Sequence, residues 1–174
     1  MLGIMSLKNK FFFELIKFFL IIFFIGLVRI APHSPNFTAV IAIVFYSSLI
    51  CGRFSFLYIL VSYILIDIYI GIYGAIYFVW FSILLISLIA IFFSKSLKKR
   101  ISGVLISCII FFLISNLGSW FSLDHSFDQH LLTVYYLGLP FFINSIISSF
   151  IFSFFIELYL FFMKRRQIFL QKKN

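Results

Sequence analysis

Asp67 and Arg29 stand out first, because they are ionisable groups in a chain with few of them: 14 Lys and Arg and five Asp and Glu among 174 residues. Asp67 falls within the apolar run 54–70, and Arg29 closes the apolar run 11–30. A charged side chain inside an apolar membrane helix costs about 2.5–3.5 kcal/mol on insertion scales and usually marks a functional position. Asp67 is therefore a candidate for binding a solute or coupling ion, for an ion pair with Arg29 that locks two helices, or for both. Asn116 and Asn144 add amide donors and acceptors, which bond between apolar helices for about 1 kcal/mol, so each can serve a ligand or a helix contact. Trp120 follows Asn116 by four residues, on the same helix face. Its ring offers a stacking surface, although interfacial anchoring is the commoner use of such a Trp. The chemistry available is recognition by charge, hydrogen bonding and stacking.

Covalent chemistry has no comparable signal. His33, His125 and His130 occur in loops far apart in the chain, with no His-Glu-x-x-His spacing and no paired Cys ligands. A Ser nucleophile needs a base beside it, and nothing in the sequence supplies one. The expectation is no enzyme activity, no cofactor and no metal centre. The loop residues Asp124, His125, Asp128 and His130 could hold a divalent cation weakly, but such a loop is usually just solvated. Cys51 and Cys108 fit small buried hydrophobes rather than a disulfide.

Composition sets the elements that must carry these groups. The chain is 64% hydrophobic and 11% charged, with a mean hydropathy of +1.19, against roughly 25% charged residues in soluble domains. This predicts an all-α integral membrane protein, a single domain surrounded by lipid bilayer. A helix needs about 20 apolar residues to cross a ~30 Å core, and the apolar runs give six transmembrane helices at about 11–30, 35–51, 54–70, 74–93, 101–120 and 134–163, followed by a basic tail at 164–174. The net charge of +9 does not imply nucleic acid, because the basic residues sit where insertion topology puts them. Lys8 and Lys10, Arg53, the group Lys95, Lys98, Lys99 and Arg100, and the tail all fall on one side; Lys17 lies in helix one within reach of Glu14. Both termini are thus predicted inside, at the bacterial cytoplasmic (inner) membrane. The start could be mistaken for a signal peptide, but no A-x-A site follows and Glu14 interrupts the run, so helix one is expected to stay.

Orientation turns positions into depths. Arg29, Asn36, Asp67, Asn116, Trp120 and Asn144 all fall in one outer layer, while Glu14, Lys17 and Glu157 lie near the inner surface, where water and the basic tail can satisfy them. Ser34-Pro35 predicts an N-cap with Pro at the first helical position, and such a terminus beside Arg29 could receive an anionic group. Pro140 removes an N–H and frees the Tyr136 carbonyl. A pocket open to the outside explains that irregularity, and so does a kink or a late helix start. Ser145, Ser149 and Ser153 recur every fourth residue, a stripe for close helix packing or, less simply, for a partner.

Arg29 with "PHSPNFT", Asp67, "SNLGSW" and "GLPFFIN" occur in an order and spacing that resembles bacterial domain of unknown function family 6580, a group of transport-type proteins. That family is in turn similar to the S components of energy-coupling-factor (ECF) transporters. The resemblance runs from about Arg29 to Glu157. It implies an S-component-like six-helix bundle with a substrate pocket near the outer surface, lidded by the first outer loop, and carries over Arg29, Asn36, Asp67, Asn116, Trp120 and Asn144 as pocket residues. Two departures are visible. Ser148-Ser149 replaces a Gly-Asp pair, and helix one offers Gly26 where an Ala-x-x-x-Ala face would dock a scaffold subunit. The expected function is small-solute transport, or substrate binding for separate ATPase and membrane scaffold subunits, since no Walker-type loop occurs. The ligand would be an unknown small molecule, vitamin-sized or nucleoside-like. The alternative is a non-transporting membrane scaffold similar to the rod-shape protein MreD, acting through surfaces such as the serine stripe.

Overall fold

The computed structural model describes residues 7–32, 34–50, 55–122 and 130–171, with side chains described between Phe12 and Met163 except at Ile50. His33, Cys51, Gly52, Arg53 and the loop holding Asp124, His125 and Asp128 lie outside the described residues. Those described form six helices and no strand: α1 Leu7–Ile30, α2 Val40–Ile50, α3 Ser55–Ile70, α4 Ile76–Phe92, α5 Leu97–Ser122 and α6 Leu131–Gln171. The apolar runs and the helices correspond one to one, and the ends differ by a few residues. Two differences are larger. α2 begins at Val40 instead of Pro35, and α6 continues from Leu131 through the basic stretch to Gln171.

The shortest helix is at the centre. α2 packs against all five others, and around it α1 lies on α3, α3 on α4, α4 on α5 and α5 on α6, with no packing between α1 and α6 among the described residues. An eleven-residue helix can hold this place because it is apolar all round: Ile41, Ala42, Val44, Phe45 and Tyr46 are all buried.

Hydrophobicity does not distinguish the inner from the outer face of the surrounding helices; side-chain size and type do. The inward stripe of α4 reads Ile76, Val79, Ser82, Ile83, Ile86, Ser87 and Ala90, while Tyr77, Phe81 and Phe92 point outward and are exposed. Buried serines recur on every helix from α2 to α6. Most return their hydroxyl to the carbonyl four residues earlier: Ser62 Oγ donates to Tyr58 O, Ser82 Oγ to Phe78 O and Ser107 Oγ to Gly103 O. The polar atom is thereby satisfied within its own helix, and the small side chain lets backbones approach. Gly103 shows how close: a Cβ there would stand 2.7 Å from the Phe45 ring of α2 and from Phe93 Cβ. The stripe Ser145, Ser149 and Ser153 is likewise buried.

Pro140 lies within α6, which runs straight past it in sequence, and the residue is exposed on the outer side of the bundle along with Tyr136. Its missing hydrogen bond is not a feature of the interior. At the end of the bundle that carries the α4–α5 connection, Glu157 binds Arg100 through both oxygens, Nε to Oε1 at 2.5 Å and Nη2 to Oε2 at 2.8 Å. Tyr46 Oη donates to Oε1 at 2.8 Å. The charge of Glu157 is thus met by Arg100 at the start of α5. Glu14 and Lys17 pair on α1 at 2.8 Å.

Among the described residues two helices, α5 and α6 over Leu131–Met163, are long and apolar enough to cross a membrane, while α2, α3 and α4 are apolar but shorter. At ~1.5 Å per residue, the 16 residues of α3 span about 24 Å.

Candidate functional site

The site starts from a turn. Gly71 adopts φ +125°, a conformation open to glycine, and its N–H returns to the Asp67 carbonyl at 2.8 Å while Ile76 N–H bonds Tyr73 O. α4 therefore folds back along α3 within five residues. Asp67 stands one turn before this connection and Trp80 about one turn after it, so the two meet at the same depth. Trp80 Nε1 donates to Asp67 Oδ2 at 2.6 Å. The packing of α1 on α3 brings Arg29 to the other oxygen, with Nη2 2.5 Å from Oδ1. The guanidinium also lies over the ring of Tyr63, 4.3 Å from its centroid, because Tyr63 precedes Asp67 by four residues and shares its face. Asp67 is fully buried and Arg29 is 14% exposed. Tyr73, in the turn itself, has its hydroxyl pushed above the ordinary phenol range, first by burial and then by the nearby Asp67 carboxylate, with Arg29 opposing. It is a neutral hydrogen-bonding group.

Above this cluster lies a cavity of about 550 Å³, within the size range of small-molecule sites, about 300–1,000 Å³. Arg29, Tyr63 and Tyr73 form one wall, and Asn36 and Thr38 close one side. α5 contributes Phe111, Ser115, Asn116 and Ser119; α6 contributes Leu137, Gly138, Phe141 and Ser145. The α6 residues fall at helical spacing on one face, and Pro140 is not among them. Asn116 Nδ2 donates to Phe112 O of its own helix at 2.8 Å, and its carboxamide rests against the Cα of Gly138, where any Cβ would collide with Oδ1. Gly138 is thus what lets α6 close over Asn116. Tyr135 Oη donates to Leu113 O at 2.7 Å, and Phe112 stacks on Phe142 at 4.6 Å, fixing α5 to α6 at this end.

Of the six residues singled out by sequence, Arg29, Asn36 and Asn116 line the cavity. Asp67 stands behind Arg29 and holds it. Asn144 also has a supporting position: its Nδ2 donates to the Pro35 carbonyl at 3.1 Å, fastening the 34–38 turn to α6. Trp120 is not part of the lining. Four residues beyond Asn116 is a further ~6 Å along the axis, which carries its ring past the cavity onto Phe121, centroids 5.0 Å apart.

The anion-binding helix start expected at Ser34-Pro35 is absent. Phe37 N–H bonds Ser34 O at 2.9 Å and Asn36 has φ +58°, so Pro35 and Asn36 are the central residues of a turn, Pro first and a left-handed Asn second. Thr38 Oγ1 then accepts from Val40 N–H at 3.4 Å where α2 begins. Tyr63, Tyr73 and Trp80 were not singled out by sequence. Their signal was their register relative to Asp67: four residues before it, and at matching depth across a glycine turn. His130 is exposed, and among the described residues no three His, Cys, Asp or Glu side chains gather.

Residues 9–170 match a family described as "Family of unknown function (DUF6580)". The chain belongs to that family. No curated protein and no solved structure matches it. Nearly the whole DUF6580 match is covered by the six helices, so the family extends over the cavity, the Arg29–Asp67–Trp80 cluster and the Glu157 network alike.

The cluster geometry gives Trp80 a definite role. Trp80→Phe removes the donor from a fully buried carboxylate oxygen and is expected to cost about 1–3 kcal/mol. Thermal unfolding of the variant and the wild type in detergent measures the cost.

Proposed function

We propose that this DUF6580 chain is a six-helix protein of the bacterial cytoplasmic membrane with both termini inside, and that it binds a small solute in its outer cavity, as a carrier or as an S-component-like binding subunit. The observation that carries the reading is the cavity of about 550 Å³. It joins Arg29, Asn36 and Asn116 at one end of a bundle whose outer surface is Phe, Leu, Ile and Tyr and whose interior holds the serines. A contiguous apolar exterior of this kind is not left to water by monomeric soluble proteins, and small inward residues with large outward ones suit helices packed within lipid. The cavity size suits a vitamin-sized or nucleoside-like molecule. The turn at 34–38, held by Asn144 and placing Asn36 in the wall, is the segment through which a solute would enter. ATP-driven uptake would require separate ATPase and scaffold subunits. The serine stripe Ser145, Ser149 and Ser153 is buried, so a scaffold similar to MreD would have to act through another surface.

Two measurements test the reading. With Cys51 and Cys108 replaced by Ser, His130→Cys should react with a membrane-impermeant maleimide on intact cells and Lys98→Cys only after permeabilisation. The opposite pattern, or equal labelling of both, would remove the topology. Wild-type protein purified in mild detergent should carry one small molecule detectable by native mass spectrometry, and Asn116→Leu should lower its occupancy at least tenfold. Equal retention by the variant would show that the cavity is not where the molecule sits.

A further inference from the structure

We infer that the cavity selects an uncharged, ring-bearing solute and rejects ionised ones; this rests on the solute-binding reading above and names the class it takes. Among the described residues, Arg29 is the one formally charged side chain in the lining, and Asp67 matches its charge. Asp67 holds Nη2 from behind, is itself 0% exposed, and has its second oxygen bound by Trp80. A ligand therefore meets Arg29 as a charge-balanced donor: Nη2 is held by Asp67, while Nη1 is buried without a hydrogen-bond partner among the described residues and suits a neutral acceptor such as a ligand carbonyl.

Helix ends of both signs meet here. At this end of the bundle lie the C-termini of α1, α3 and α5 and the N-termini of α2, α4 and α6, whose dipoles oppose one another. The other polar groups in the lining, among them Asn36, Tyr73, Ser115, Asn116 and Ser119, are neutral dipoles. A carboxylate, phosphate or ammonium entering the cavity would give up its hydration without meeting an unbalanced opposite charge. A neutral solute loses far less. Tyr63, Tyr73, Phe111 and Phe141 offer ring faces and edges, while the amide of Asn36 and the carboxamide oxygen of Asn116, whose Nδ2 is spent on its own helix, suit an amide- or lactam-type edge.

Pairs of probes that differ in charge and little else give the test. Stabilisation of the purified protein against thermal unfolding would be titrated with uridine and uridine 5′-monophosphate, and with nicotinamide, nicotinate and 3-(aminomethyl)pyridine. A neutral member should act at a concentration at least tenfold below its ionised partners, and the molecule retained from the cell should carry no net charge at pH 7. Asp67→Asn, which leaves Arg29 unmatched, should move the preference toward the anionic member. An ionised probe acting as well as its neutral partner, or a retained solute with a net charge, would overturn the inference while leaving solute binding intact. The absence of any retained molecule together with no response to any probe would instead remove the solute-binding reading, and the inference with it.

Discussion

The end of this bundle where α3 turns into α4 depends on how one buried carboxylate is neutralised. Asp67 sits in α3 with no exposure, and its two oxygens are taken by Arg29 of α1 and Trp80 of α4. Removing one partner of such a pair typically costs about 3–5 kcal/mol, because the remaining charge is stranded. Three helices therefore have their relative positions set by a single side chain. The cavity inherits that rigidity: Arg29 reaches its wall as the front of a fixed, charge-balanced unit.

The opposite end repeats the solution with other helices. Glu157 of α6 is held by Arg100 of α5 and Tyr46 of α2, and Arg100 Nη1 also donates to Ser94 O in the α4–α5 connection. Between them the two acids touch every helix once, α1, α3 and α4 through Asp67 and α2, α5 and α6 through Glu157. In a bundle whose faces are almost uniformly apolar, packing alone discriminates poorly between one helix rotation and another. Two acids with geometric demands on their partners supply that discrimination, and the buried serines and Gly103 set how near the backbones come.

These features were unequally legible in the sequence. The six helices follow from apolar runs, and the Arg29–Asp67 partnership from depth, since both residues lie near the C-terminal ends of helices that run parallel, α1 and α3. The start of α2 was not legible: Pro35 suits a first helical position as well as the second position of a turn, and only the left-handed Asn36 decides between them. Trp80 was hidden because a Trp in an apolar run needs no polar explanation, although its indole N–H is what completes Asp67. Trp120 shares a helix face with Asn116, yet one extra helical turn puts it beyond the cavity. Pro140 interrupts the backbone hydrogen bonding of α6 but is exposed and lies outside the cavity lining. Gly138, two residues earlier, is the residue the cavity requires.

The central claim is that Arg29 and Asp67 act as one neutral unit, and a double-mutant cycle on thermal stability in detergent tests it most directly. Arg29→Met and Asp67→Leu should each be strongly destabilising, by about 3 kcal/mol or more. The double variant, which removes both charges, should recover most of the loss. Effects of the two substitutions that simply add, to within about 0.5 kcal/mol, would contradict the account.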